Sequence, residues 1–530
     1  MKHFLPAVLV CAAAAAACVK TDYNLGQDFL STDRQYSIHS ESFPLEDIRM
    51  AYPEELSGFS VSRFTVGAVR NDVFGLSTRS AAFTLVPVDK TLDFGKAGTQ
   101  VFRQFHFAAV RDTTSFDAAG QQYILQRLKV EELASPIDME KAYPDVSVIP
   151  GNISDGVPVF GGTDSLSFNF NKAFGEKYMG ITAADLESIE TYTKKFPGIR
   201  LSCEEPSGNG GRINMFKLPI DVYNSYLYGS YAELKFSAEY DSRGQIDTSF
   251  VFYLGAADLY DLGDATSTSS SSQPQVALNL STHSSQALEG AAGAEIHLEG
   301  GRGLKPVIKA ASLREKVIET ISKYGNPASA IISKASIVLP FDFPDDYRDI
   351  RKYPTQLSPT CRIAYDDGTV RYAGLSDASA SDENQGDINR SLCNYAPDIT
   401  HHIQELISAD ESKLDNYDIW MLAMAGEKVT THGSSTSSDA ADLYQELAYA
   451  SYYSSLYGGD YYGGSYYDSY YNNYYNYMML AEMMSQQASA STTSTQLQMD
   501  IHRFYHCRLH GPASATKKPS FRLTFAIPAE

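Results

Sequence analysis

Alternation of apolar and polar residues with period two is the feature that most constrains this chain. LSFNF at 166–170 alternates. YAELKFSAEY puts Ala232, Leu234, Phe236, Ala238 and Tyr240 on one face, and FRLTFAIP does the same with Phe521, Leu523, Phe525 and Ile527. Such a period turns one face of a strand to a core and the other to water. Turn residues separate the runs: Asp366, Asp367 and Gly368 lie between CRIAY and TVRYA, and Ser242, Arg243 and Gly244 lie between YAELKFSAEY and TSFVFYL, the pattern of antiparallel hairpins. Helical spacing is rare. It predicts short helices over 313–323, from Leu313, Val317 and Ile321, and over 399–407, opened by Pro397 and Asp398. The expected fold is mainly β: two antiparallel β-sandwich, jelly-roll-like domains with a few short helices.

A length of 530 residues, 43% of them hydrophobic and 12% aromatic, is enough for two cores. The Ser-rich stretch from Asp264 to Pro274 marks a break. The expected division is an N-terminal domain over 36–263, a linker or long loop over 264–285, and a C-terminal domain over 286–530. The last contains a Tyr-rich, low-complexity insertion over 433–496, with 14 tyrosines between Tyr444 and Tyr477, then Met478, Met479, Met483 and Met484, between the flexible flanks GSSTSS and ASASTTST. Two readings stand for it. One is an insertion between strands with too little apolar surface to order itself. The other is a contact loop in which Tyr461, Tyr462, Tyr466, Tyr467, Tyr470 and Tyr471 offer flat faces and hydroxyls to a protein or a glycan.

At the N-terminus Met1, Lys2 and His3 precede an apolar run from Phe4 to Ala17 that ends at Cys18. The run would rise only about 21 Å as a helix, short of the roughly 20 residues a bilayer core requires, so it reads as a cleaved export signal rather than a permanent span. Ala15, Ala16 and Ala17 supply the small residues that lipoprotein signal peptidase needs, with Ala15 where a leucine is usual. Val10 before Cys11 is too bulky for that role. The expectation is a signal peptide over 1–17, acylation of Cys18, and a lipidated, polar tether over 18–35; an ordinary secretory cut within the alanine run is the alternative. Several dozen buried methylenes at about 0.8 kcal/mol each make such an anchor effectively permanent. Val19 stands where inner-membrane retention would place Asp, which points to the outer membrane, with the leaflet face left open by the sparse charges Lys20 and Asp22.

Loss of residues 1–17 removes one of the 43 basic residues, Lys2, and leaves 42 against 64 acidic ones, a net charge of −22. That balance repels phosphate backbones and argues against nucleic-acid partners. No nucleophile elbow, Walker loop or zincin helix occurs, and no cofactor motif. GGRGLK at 300–305 lacks phosphate-loop spacing and reads as a turn. His502, His506 and His510 share parity on a predicted strand, in steps of about 13 Å, too far apart for a metal. His401 and His402 point apart on a predicted helix, in surface or capping roles. The acidic groups Asp342, Asp345, Asp346 and Asp349, and Asp382, Glu383 and Asp387, fit solvated loops better than calcium sites. Cys203, Cys361, Cys393 and Cys507 allow three disulfide pairings, of which Cys361–Cys393 is the candidate; small buried hydrophobes are the other reading.

Several segments in order resemble a family of Bacteroidota outer-membrane lipoproteins, domain-of-unknown-function family 4270. VGAVRNDVFGLSTRSAAFTL at 66–85 carries Asn71, Asp72, Phe74 and Gly75, and TDSLSFNF and FPGIRL follow. HLEGGRGLKPVIKAASL at 297–313, ISKASIVLP at 332–340, YAPDITHHIQELI at 395–407 and the closing FRLTF complete the series. Departures are the proline in GLKPVIKA and the length of the Tyr-rich insertion. The C-terminal half is also similar to jelly-roll modules of bacterial surface proteins. The resemblance implies a membrane-anchored, non-enzymatic protein, and together with the residues it leads us to expect a binding or scaffold lipoprotein, an accessory of an outer-membrane assembly or secretion complex whose partners are outer-membrane proteins. Glycan capture for a transporter is the second reading, and a hydrolase using unrecognised carboxylates the third.

Overall fold

In the computed structural model the described residues are 36–528, apart from 90, 118–119, 219, 224–225, 241–243, 256–270, 273–274, 366–367, 380–383 and 434–489. Cys18 and the six tyrosines named above therefore lie outside the described residues.

Strands β1 (Tyr36–Pro44) and β2 (Ile48–Ala51) open the chain. A first unit follows with β3 (Arg63–Asn71), β4 (Gly75–Phe83), β5 (Val101–Ser115), β6 (Gln126–Leu133) and β7 (Ser165–Asn169). Helices α1 (Lys172–Met179) and α2 (Ile189–Lys195) come next, then β8 (Ile199–Cys203), β9 (Gly210–Lys217), β10 (Tyr231–Tyr240), β11 (Gly244–Leu254) and β12 (Ala277–His283). Its central strands run β6-β8-β4-β3-β9-β5-β10-β11, all antiparallel. The residues after β4, Leu85–Pro87, pair with β11, so the sheet folds back on itself. Inside lies a phenylalanine core: Phe64 stacks on Phe216 at 5.0 Å, Phe107 on Phe168 at 4.7 Å, and Phe105 meets Phe170 at 4.8 Å. The predicted face of β10 is in it, with Ala232, Leu234, Phe236 and Ala238 fully buried. Helix α1, which sequence spacing did not reveal, is short; Asn171 caps it by accepting from Phe174 N at 2.9 Å, and Phe174 and Tyr178, four apart, bury against Phe105.

The second unit contains β13 (Glu295–Glu299), β14 (Lys305–Ile308), α3 (Ala310–Ser322), β15 (Ile331–Pro340), β16 (Gln356–Ala364), β17 (Val370–Gly374), α4 (Thr400–Ser408), β18 (Ile419–Gly433), β19 (Ala490–Met499), β20 (His506–His510) and β21 (Ser520–Pro528). Its core is largely aliphatic, built from Ile296, Leu298, Leu313, Val317, Ile321, Ile337, Leu523 and their neighbours. Both predicted helices form, displaced by a few residues. Each has its first turn capped from far away: Asp418 accepts from Ala310 N at 2.9 Å, and Asp377 accepts from His401 N at 2.7 Å and His402 N at 3.0 Å.

The mainly β, antiparallel sandwich architecture is as expected, but the pairing crosses the expected domain boundaries. β1 pairs along its whole length with β21, the last strand, and β2 with β14, because Phe43, Leu45, Ile48 and Met50 bury in the second core. β12, placed by sequence in the linker, pairs with β4 of the first unit. The second unit is thus discontinuous, assembled from both ends of the described chain. The segment 490–496, read as flexible flank, pairs with 427–433, since its Ser and Thr run suits an extended ladder.

Candidate functional site

Two features stand out once the units are assembled: a charged junction between them and a ribbon that rises from its edge. The junction grows from ends of strands. Ser77 and Arg79 come from β4 and His283 from the end of β12, while Glu299 ends β13 and Lys305 begins β14 across the turn 300–304. Glu299 is fully buried. One of its oxygens accepts from the Ser77 hydroxyl and lies 2.8 Å from His283 Nδ1, and the other accepts from Ser285 Oγ at 2.8 Å. Ser285 in turn lies 2.7 Å from the Tyr52 hydroxyl. Arg79 donates to Gly300 O at 3.0 Å, and Lys305 to the carbonyls of Glu299 and Gly303. Burial by itself would raise the Glu299 carboxyl, but His283, the hydroxyl of Ser77 and the Arg79 guanidinium outweigh it and hold it at about 2. Burial brings the Lys305 ammonium down to about 7.

The junction continues through 500–506. Asp500, 4% exposed, accepts from His502 N and Arg503 N at 3.0 Å each and from the Tyr505 hydroxyl at 2.6 Å. His502 Nε2 lies 3.3 Å from Ser60 Oγ, and burial lowers the His502 imidazole to about 4. Phe74, fully buried, meets Phe504 edge-on and His506 at 4.9 Å, and Arg302 stacks 3.3 Å over the Tyr143 ring. Asn71 shapes the turn that delivers Phe74, accepting from Val73 N and Phe74 N, and Gly75 closes it at φ +69°. A Ser, a His and a Glu within hydrogen-bond reach resemble parts of a hydrolytic triad. Here both hydroxyls donate to the carboxylate itself, so neither is set against the imidazole as a nucleophile needs to be. The chemistry this arrangement supports is a lock between two units.

The ribbon begins where β18 leaves the sheet. Residues Ile419–Cys361 and Met424–Gln356 mark the ends of its pairing with β16, and from 425 to 433 it pairs with β19 alone among the described residues. At about 3.3 Å per residue the two-stranded stretch extends about 30 Å. The Tyr-rich insertion lies between its ends, Gly433 and Ala490, and β19 leads directly into buried Asp500, so the base of the ribbon is fixed in the junction.

The remaining sequence candidates are dispersed. His502 lies in the turn before β20 rather than on the strand, because Asp500 caps that turn. His506 pairs with Asp117 at 3.1 Å, and His510 contacts Ser514 and Asp342. No group of three or more His, Cys, Asp or Glu fit to hold a metal occurs among the described residues. His402, expected in a surface or capping role, is a core histidine: its Nε2 lies 3.1 Å from Tyr417 O and its Nδ1 3.9 Å from Cys361 Sγ. The candidate Cys361–Cys393 bridge is not formed, and all four described cysteines are free thiols. Cys361 faces His402 from β16, whereas Cys393, at φ +50°, turns back to Arg390 O in a tight turn. Asp346 caps Arg348 N, and Asp342 pairs with Lys517, which absorbs that acidic cluster locally.

The junction itself was not read from sequence. The only signal for it was a Glu and a Lys on either side of the glycine-rich turn in LEGGRGLK. Comparison with known proteins yields no significant match, whether to a family model, a curated protein or a solved structure.

Proposed function

We propose that the chain is an outer-membrane-anchored lipoprotein of the family it resembles, held by an acyl group on Cys18 and acting as a non-catalytic binding or scaffold component beside an outer-membrane assembly or secretion complex. The observation that carries this reading is the ribbon. A two-stranded hairpin outside a sheet is marginal by itself, and here about 30 Å of it joins, at its ends Gly433 and Ala490, the two sides of a tyrosine-rich segment of the sequence. Tyrosine combines apolar area with a hydroxyl at low entropy cost, which suits a contact surface. The junction at its base supports a scaffold role, since buried hydrogen bonds of Glu299 and Arg79 tie the two units together.

The test is crosslinking in native membranes followed by pull-down, comparing the full chain with one in which 434–489 is replaced by a short Gly-Ser turn. Outer-membrane proteins recovered with the full chain and lost with the shortened one are expected. The same set of proteins recovered with both would count against the contact role. Binding of the full chain to a glycan array, lost in the shortened chain, would move the reading to glycan capture.

A further inference from the structure

We infer that the outward face of the β1-β21-β15 sheet is a membrane-contact surface, laid against the lipid headgroups; this rests on the lipid-anchor reading of Cys18. The register defines the face. Opposite partners are Tyr36 with Pro528, Ile38 with Ala526, Ser40 with Thr524 and Ser42 with Arg522, and across β21 Ala526 also opposes Ile331 and Thr524 opposes Lys334. The alternate residues on the other side, Phe43, Phe521, Leu523, Phe525 and Ile527, are buried in the second core, so the named positions point outward.

One end of that face is apolar and open. Ile38 is 72% exposed, Ile331 50% and Tyr36 45%. Toward the other end the face turns cationic, with Arg522 and Lys334. Lys334 lies 3.8 Å from Asp398, whose side chain is itself almost entirely buried. No outward position of the three strands carries a carboxylate, in a chain with 64 of them. Apolar side chains, an interfacial tyrosine and cations without surface carboxylates together match the acyl boundary, headgroup level and phosphates of a bilayer.

The position in the chain selects lipid over other occupants. Tyr36, at the apolar end, is the first residue of β1, so the tether over 18–35 leaves from the patch itself. Fully extended, that tether reaches about 60 Å at most, so an acylated Cys18 keeps this end of the molecule within that distance of the bilayer and makes it the first part of the body to meet it. On the same account the ribbon belongs to a different edge of the second unit, in the sheet of β2, β14, β16 and β18.

The experiment uses the full mature protein, with acylation of Cys18 measured by lipid labelling on the same sample. Ile38→Trp and, separately, Leu392→Trp are reconstituted into vesicles of phosphatidylethanolamine and phosphatidylglycerol carrying lipids brominated near the headgroup. Both sites are exposed, and Leu392 lies beside the short strands at the opposite edge of the same sheet. The native Trp420 is 7% exposed and supplies a constant background. An about twofold loss of emission from the tryptophan at 38, with none at 392, is the expected result for a residue at the interfacial level. Labelled protein in which the tryptophan at 38 is unquenched, or in which both positions are quenched alike, overturns the face and leaves the anchor standing. Absence of label on Cys18 overturns the anchor, and the face with it.

Discussion

The junction between the units and the outward face of the β1-β21-β15 sheet break the usual partition of side chains in opposite directions. At the junction a carboxylate, a guanidinium and an ammonium are buried; on the face two isoleucines and a tyrosine are open to water. The difference lies in satisfaction. Glu299 has a hydroxyl and an imidazole on one oxygen and a hydroxyl on the other, and Arg79 and Lys305 have backbone carbonyls, so each buried charge finds partners within one chain, while Arg79 Nε and His502 Nδ1 are buried without one among the described residues. Ile38 and Ile331 have no such partners among the described residues. Buried charge here is structure, and exposed apolar surface is a statement about surroundings.

The sharpest way to break the contrast is Glu299→Ala. It leaves Ser77, Ser285 and His283 without their acceptor and Arg79 and Lys305 without the nearby negative charge, at a cost of about 3–5 kcal/mol, read as a lowered urea midpoint. Gly300→Ala comes next. Its new methyl would sit 2.1 Å from Arg503 O, backbone that cannot swing aside, and the expected loss is about 1–3 kcal/mol by the same assay.

Acid tests the junction as a whole. His502 is lowered to about 4 by burial, so the unfolded chain protonates first; its contribution is complete above about 6.5 and is lost as pH falls from there to 4. Glu299, held at about 2, contributes fully above about 4.5 and loses that contribution as pH falls toward 2. Melting temperature should therefore decline in two stages on acidification, and His502→Gln should reduce the first while leaving the second. His402, also lowered to about 4 by burial, and His283 and His297, which burial also lowers, keep part of the first stage in that variant. The smallest expected effect is that of Ile38→Asp, within about 0.5 kcal/mol of the parent in urea because the side chain is 72% exposed; a larger loss would mean that the face is packed against the chain itself.

Much of the β architecture was legible from alternation, since β7, β10 and β21 are the runs that showed it, and helices α3 and α4 from four-residue spacing. Helices α1 and α2 were not, because one or two turns give too few repeats to establish a period. The caps of α3 and α4 were invisible for another reason: Asp418 lies 108 residues from Ala310 and Asp377 lies 24 from His401. Likewise the two proposed contact regions split. The tyrosine insertion could be read as composition, while the membrane-contact face could not, since its members come from 36–38, 331–334 and 522–526.

By itself the sequence determined the local rules: which segments are strands, where hairpins turn, and that two cores can be filled. Only the tertiary structure decided that the chain's two ends close one unit, that Glu299 and Arg79 join it to the other, and that His402 and Cys361 are buried neighbours rather than a surface or capping group and half of a bridge. The physical reason is range. Periodicity and turn chemistry act over a few residues and leave their mark there, whereas burial and hydrogen-bond completion are settled between groups hundreds of residues apart.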